Sequence, residues 1–356
     1  MSTYIETGNT VRVFDSAVHT HAQMPLGTYK VQFNPFSGYS LQRQEDLRVG
    51  EGKVYGGREH KVDKIFRYFT SEDRSLGVML SGDKGQGKSL FLRMVAERAA
   101  DEKLPVVIVA EAFPGIADFL DTLGTCVIIF DEFEKVFSDR GEEGANPQHQ
   151  FLSLFDGTSS MKRLYCVTVN ELRHVSSYFV NRPGRFHYHL RFNYPEPDEV
   201  REYLADQAPQ ATAEQVEAAV RFSQKVALNY DHLRAVAYEL NDAGSVFSEI
   251  IGDLNIKNVD PTECRVHVAF RDGEIATGRA SLDLFGDSGA QSMVHVAGTS
   301  RSEYITFKVE DLAYAEDGSM EYRPLYPEGR KKKDEDVIHI RVVPTRASSF
   351  SYDRLL

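Results

Sequence analysis

The stretch Met79-Leu80-Ser81-Gly82-Asp83-Lys84-Gly85-Gln86-Gly87-Lys88-Ser89 limits what this chain can fold into more than any other. Its spacing, G-x-x-x-x-G-K-S, is that of a loop that wraps a phosphate. Glycines let the backbone curl until successive N–H groups point inward at an anion. Lys88 is long enough to reach β- and γ-phosphates, and the Ser89 hydroxyl can ligate Mg²⁺. A helix beginning at Leu90 adds the positive end of its dipole. The context agrees: apolar Val78-Met79-Leu80 precedes the loop, and Leu90, Phe91, Met94 and Val95 follow at helical spacing.

With 356 residues the chain is long enough for two or three domains. No apolar run approaches the ~20 residues that cross a bilayer, which excludes a helical membrane anchor. The start, MSTYIETGNT, lacks the basic and apolar segments of a secretory signal. Cys126, Cys166 and Cys264 have no metal-like spacing, and the first two lie in apolar runs, as buried thiols do. A reducing cytoplasm is the expected compartment. The net charge of −12 argues against a broad nucleic-acid surface. The run Arg330-Lys331-Lys332-Lys333 is answered at once by Asp334-Glu335-Asp336 and reads as a solvated loop.

Along the chain, Thr10–Phe14 and Thr28–Phe33 alternate as strands do, and Asn34-Pro35-Phe36-Ser37-Gly38 is a turn into a strand from Tyr39. These predict a β-rich N-terminal region over 1–52. Val62, Ile65, Phe66 and Phe69 mark a helix, and continuous β-branched runs follow at Val106–Val109, Val127–Phe130 and Leu164–Val169. Strands alternating with helices predict an α/β nucleotide-binding domain with a parallel sheet over 53–194. Helical periodicity alone continues over 195–257, where Asp231 reads as the acidic cap of the helix ending at Leu240. Period-two patterning over 258–356 predicts a β-rich C-terminal domain with strands at Cys264–Phe270, Thr277–Leu284, Met293–Val296, Tyr304–Val309 and Val337–Val343.

Phe130-Asp131-Glu132 ends the second apolar run, placing two carboxylates at the carboxyl edge of the sheet, where α/β folds bind ligands. Asp131 suits Mg²⁺, and Glu132 suits activation of an attacking water. Arg182 and Arg185 flank a Pro-Gly turn that throws side chains outward. Asn170 offers a donor and an acceptor without charge.

In order and spacing, Val54 to Asp242 resembles the AAA family of the AAA+ ATPases. Phe151-Leu152-Ser153-Leu154-Phe155-Asp156-Gly157 is similar to that family's LLxxLDG helix, and Asn170 to its polar sensor of the lytic water. Asn181-Arg182-Pro183-Gly184-Arg185-Phe186 matches its RPGRF segment, whose arginines reach the neighbouring subunit's nucleotide. The resemblance implies a P-loop AAA+ core with a small helical lid, here flanked by β-rich domains. ATP and Mg²⁺ are the implied ligands. Gly82, Asp83, Lys84, Gly85, Gln86, Gly87, Lys88, Ser89 and Leu90 would hold the phosphates. Tyr55 and Gly56 resemble the adenine-side loop. Arg234 stands where many AAA+ proteins carry a second sensor, and equally reads as an ordinary helix arginine. Phe113-Pro114-Gly115 falls at the first pore loop, with proline in place of the usual aliphatic, and equally reads as a packed loop. Ser138–Asn146 falls at the second pore loop. His187 and His189 read as structural.

The expected activity is ATP hydrolysis at the subunit interfaces of a homo-oligomeric ring, hexameric by resemblance, that remodels or translocates a protein client. A nucleic-acid-associated ATPase resembling helicase loaders or clamp loaders, and a nucleotide-gated scaffold, are the alternatives.

Overall fold

A computed structural model of the chain describes residues 3–15, 17–50, 52–138, 147–156, 161–180, 182–224, 226–242, 246–256, 261–283, 291–315, 319–323 and 336–345. Most of the candidate second pore loop (139–146), Gly157, Asn181 and the 330–335 charge run lie outside the described residues. The chain divides into two compact units, Met1–Phe192 and Asn193–Leu356.

The first unit begins with a separate hairpin of β1 (Thr3–Thr7) and β2 (Thr10–Phe14). It continues through β3 (Thr28–Asn34), β4 (Gly38–Gln44), α1 (Arg58–Ser71), β5 (Leu76–Ser81), α2 (Lys88–Asp101) and β6 (Val106–Val109). Then come α3 (Ile116–Asp121), β7 (Cys126–Phe130), the short α4 (Phe133–Val136) and α5 (Leu152–Phe155), β8 (Arg163–Val169) and β9 (Tyr188–Arg191). One seven-stranded sheet runs β4-β3-β6-β7-β8-β5-β9, parallel throughout except for the β3–β4 hairpin.

The centre of the sheet is buried on both faces, and its strands β6 and β7 are apolar at every position, as buried parallel strands require. In β7, Cys126, Ile128 and Phe130 enter one core, while Val127 and Ile129 enter the other. The second core gathers Val62, Ile65, Phe66 and Phe69 of α1 with Phe91, Leu92 and Val95 of α2. The first is rich in aromatics. Phe130, Phe133, Phe137, Phe151, Phe155, Phe179 and Phe186 interlock there, with Phe137 and Phe151 centroids 4.6 Å apart. That cluster fixes the chain immediately after β7.

The N-terminal region departs from the expected separate β unit. Thr28, Tyr29 and Lys30 pair in parallel with Val106, Val107 and Ile108, so β3 and β4 extend the core sheet. Tyr29 and Val31 are buried there. The free edge of β6 offers β3 more backbone partners and apolar contact than an isolated hairpin could.

The second unit opens with α6 (Pro197–Gln207), α7 (Ala213–Ser223), α8 (Tyr230–Leu240) and α9 (Phe247–Asp253). The cap of α8 is Asn229, whose Oδ1 accepts the His232 N–H at 2.8 Å. Asp231 therefore lies in the first turn rather than at the cap. An antiparallel sheet follows: β10 (Thr262–Phe270), β11 (Ile275–Leu282), β12 (Gln291–Ala297), β13 (Ser302–Lys308), β14 (Ala313–Tyr314), β15 (Met320–Tyr322) and β16 (Val337–Pro344). Its order is β13-β12-β11-β10-β16-β15-β14. Alternate residues such as Val266, Val268, Val294, Ile305 and Val342 form one core, and the intervening ones face outward.

Candidate active site

The glycine loop joins β5 to α2 with Gly82, Gly85 and Gly87 all at positive φ. Two of these positions admit nothing larger. A Cβ on Gly82 would lie 2.3 Å from both Gln86 Oε1 and the Phe192 carbonyl, and one on Gly87 would lie 2.0 Å from Arg58 Nη1. α2 starts at Lys88, two residues earlier than Leu90, so its first N–H groups border the loop directly. Lys88 is buried, and its Nζ donates to the Gly82 and Asp83 carbonyls at 2.5 and 2.7 Å. Burial pushes the Lys88 ammonium below its ordinary value, and the carboxylates of Asp83, Glu134, Asp131 and Glu132 oppose that shift. The loop thus holds a buried cation with its own carbonyls.

Arg58 supports the loop from α1. Its Nη2 donates to the Gln86 carbonyl at 3.0 Å, and its guanidinium lies 5.2 Å from the Phe192 ring. The sequence reading missed it, because an arginine at a helix start looks like a surface residue. Tyr55, two residues before the left-handed Gly57, is buried, while Gly56 is exposed. The 55–58 segment therefore exposes backbone rather than the Tyr55 ring.

At the carboxyl end of β7, Glu132 adopts φ 49°, a strained value for a non-glycine residue. Its neighbours hold it there. Its N–H donates to Thr168 Oγ1 at 2.8 Å, and the Thr168 hydroxyl donates to Asp131 Oδ1 at 2.6 Å. Asn170 Nδ2 donates to Glu132 Oε1 at 2.9 Å, and Lys135 Nζ lies 2.5 Å from the same oxygen. The Lys135 hydrogen bond, helped by Asn170, holds the Glu132 carboxyl below the ordinary carboxylate range. Glu132 is therefore ionised, and it is half-exposed.

Two further residues here escaped the sequence reading. Glu134 is 3% exposed, and its Oε1 accepts the Asn170 backbone N–H at 3.0 Å. Its other oxygen has no hydrogen-bond partner among the described residues. Thr168 is fully buried between Asp131 and Glu132. A hydroxyl inside the apolar run of β8, and a third acid two residues past the Asp131-Glu132 pair, were the available signals.

The structure separates the two arginines of the Pro-Gly turn. Arg185 is 9% exposed and forms a bidentate pair with Asp156, Nε to Oδ1 at 2.5 Å and Nη2 to Oδ2 at 2.8 Å. Its Nη1 donates to the Tyr178 carbonyl at 2.6 Å. Arg182 is exposed, with its guanidinium 5.8 Å from the Tyr178 ring. Phe155, next to Asp156, is buried against Phe186 at 5.0 Å, so the 151–156 and 182–186 segments form one packed piece.

Arg234 is exposed on α8 in the second unit, opposite the face that buries Leu233, Val236, Ala237 and Leu240. Phe113 is partly buried against Phe33 and Tyr39. His187 stacks on Tyr68 at 4.2 Å, and His189 Nε2 lies 2.7 Å from Ser81 Oγ, in line with structural roles. All three cysteines are buried, with thiols pushed up to about 12. No group of metal-binding His, Cys, Asp and Glu occurs among the described residues.

The donor set fits a nucleotide with a hard cation. Curled N–H groups and Lys88 suit phosphates, and the Ser89 hydroxyl and Asp131 carboxylate are the oxygen ligands Mg²⁺ takes.

A glycine loop before a helix, facing a pinned acid pair across a parallel sheet, defines a P-loop nucleotide-binding domain. Residues 78–194 match the family model described as "ATPase family associated with various cellular activities (AAA)", so this stretch of the chain is an AAA domain. It is also similar to the Peroxisomal ATPase PEX1 of Dictyostelium discoideum, 26% identical over 153 residues. That match covers 39% of this chain and 12% of the relative's length. No helix among the described residues is long and apolar enough to cross a membrane.

Proposed function

We propose that this chain hydrolyses ATP at the interfaces of a homo-oligomeric ring, hexameric by analogy with the family, and uses the turnover to remodel a protein client. The observation that carries this reading is the pinning of Asp131 and Glu132 by Thr168 and Asn170 at the strand end. Such an arrangement costs backbone strain and holds two carboxylates at the carboxyl edge of the sheet.

The glycine loop from Gly82 to Ser89 and the first turn of α2 cradle the phosphates of ATP, and Lys88 leaves its carbonyl partners to bond them. Ser89 and Asp131 would hold Mg²⁺, which would supply charge neutralisation to the phosphates. Glu132 accepts a proton from the attacking water, while Asn170 holds Glu132 with its amide and keeps that water aligned. Lys135 keeps Glu132 ionised. Tyr55 and Gly56 border the adenine through their backbone, and Arg234 serves as a lid residue. Arg182 reaches the γ-phosphate bound by a neighbouring copy, where a guanidinium matches the spread charge of the transferring group. Arg185, tied to Asp156 and Tyr178, shapes the turn that presents Arg182.

A nucleic-acid client is the second reading, and one observation favours it. Arg265 and Arg279 are directly opposite each other on β10 and β11, both exposed on the outer face of the C-terminal sheet. Like charges so placed repel unless an anion joins them. The test is ATP turnover by the full chain in Mg²⁺, alone, with unfolded casein and with a single-stranded oligonucleotide. Stimulation by casein supports the proposal. Stimulation by the oligonucleotide alone moves the client to nucleic acid, and turnover undetectable in all three arms refutes the ATPase.

A further inference from the structure

The β3–β4 hairpin ends in a side chain that folding does not use. β3 runs parallel to β6 with Lys30 opposite Ile108, and β6 stops at Val109 while β3 continues to Asn34. At roughly 3.3 Å per residue, the turn stands about 10–15 Å beyond the carboxyl end of β6, the edge that also carries the glycine loop.

That turn is locked. Asn34 pairs with Gly38, the Ser37 N–H donates to the Asn34 carbonyl at 3.2 Å, and the Phe36 N–H donates to Asn34 Oδ1 at 2.8 Å. Pro35 fixes its own φ, and Gly38 takes the left-handed conformation that closes a three-residue hairpin loop. The base is braced as firmly. Phe33 packs on Tyr39 at 4.9 Å and on Phe113 at 5.7 Å, and Tyr39 stacks on Phe119 at 4.4 Å. The Tyr39 hydroxyl donates to the Pro114 carbonyl at 2.6 Å, and Lys30 pairs with Glu111 at 3.0 Å. The 111–115 loop is thus bound to the hairpin, with Phe113 in the packing between them.

Phe36 stands on this support 98% exposed, more than any other large apolar side chain among the described residues. Single exposed apolar residues are ordinary on protein surfaces. A turn tip, however, is a position where Asn, Asp, Ser or Gly serves the backbone better. Phenylalanine there buries nothing within the chain.

We propose that Phe36 is a client-contacting aromatic of this protein. It inserts among the apolar side chains of an extended polypeptide presented at the carboxyl edge of the sheet. This rests on the client-remodelling function proposed above. The charge around the tip selects polypeptide over nucleic acid. Residues 33–39 are Phe-Asn-Pro-Phe-Ser-Gly-Tyr, without a cation, and Lys30 is committed to Glu111. A single-stranded nucleic-acid platform pairs its aromatics with a basic groove, which this tip lacks.

The experiment measures binding of fluorescein-labelled, unfolded casein to the full-length chain with ATP by anisotropy, for wild type, Phe36→Ser and Phe36→Trp. Wild type is first tested with a fluorescent ADP analogue, so that failure of the nucleotide site is recognised as failure of the broader function. Burial of one phenyl ring predicts about tenfold weaker casein binding for Phe36→Ser and retained affinity for Phe36→Trp. The melting temperature of Phe36→Ser should match wild type, because the ring touches no core. Equal casein affinity in Phe36→Ser overturns the proposal. So does a nucleotide-competent wild type that binds no casein. A fall in oligomer size for Phe36→Ser by light scattering also overturns it, making the tip a contact between copies.

Discussion

Asn170 Nδ2 donates to Glu132 Oε1 at 2.9 Å, joining the ends of the neighbouring strands β8 and β7. The same asparagine receives support from behind, where its backbone N–H donates to the buried Glu134. One polar residue therefore couples two acids, one half-exposed and one enclosed. On the proposed mechanism, Glu132→Gln retains ATP binding and lowers kcat by about a hundredfold or more. Single-turnover measurements with labelled ATP separate the two effects, and lost binding would count against the assignment.

Lys135 sets the pH range of that acid. Its hydrogen bond holds Glu132 in the charged form below the ordinary carboxylate range, so the base stays available as pH falls. Removing the partner lets the Glu132 carboxyl rise toward its ordinary value. Lys135→Ala should therefore move the acidic limb of the pH–kcat profile to higher pH. An unchanged limb would show that Glu132 is not the titrating base.

The two arginines of the Pro-Gly turn should fail differently. Arg185→Ala breaks three hydrogen bonds within its own chain and leaves Asp156 without its partner, so it costs about 1–3 kcal/mol of stability. That is roughly 2–10 °C in Tm. Arg182→Ala removes no side-chain hydrogen bond among the described residues and should leave Tm unchanged while turnover falls by about a thousandfold. Equal melting temperatures for both variants would contradict the division of labour.

Lys88→Ala removes a buried cation bonded to the Gly82 and Asp83 carbonyls. Nucleotide affinity should fall by about tenfold to a hundredfold, the worth of one charge-assisted contact to phosphate. Titration with a fluorescent ADP analogue reads this directly, and wild-type affinity in the variant would undo the phosphate-loop assignment.

What the sequence disclosed follows from how locally each feature is encoded. The loop Gly82–Ser89 and the apolar runs of β6, β7 and β8 carry their pattern in consecutive residues, so motif and sheet were legible together. The fate of β3 was not, because period-two alternation marks a strand without naming its partner. Nothing in Thr28–Asn34 announces pairing with Val106–Ile108. Arg185 illustrates the same limit in the site. RPGRF identifies an exposed turn, but the carboxylate that claims Arg185 comes from Asp156, a residue remote in the chain. Thr168 and Glu134 were obscured because burial, invisible in sequence, is what turns them from ordinary polar residues into props for Asp131, Glu132 and Asn170.

On the proposed function the hydrolytic site is shared between copies, with the glycine loop and Glu132 from one and Arg182 from the next. The most direct measurement is steady-state ATP turnover per chain as a function of chain concentration in saturating Mg²⁺ and ATP. A rate that rises with concentration and reaches a plateau, with a Glu132→Gln chain partly restoring turnover to an Arg182→Ala chain on mixing, is the predicted result. A rate per chain that is constant down to dilutions where only single copies exist would contradict it.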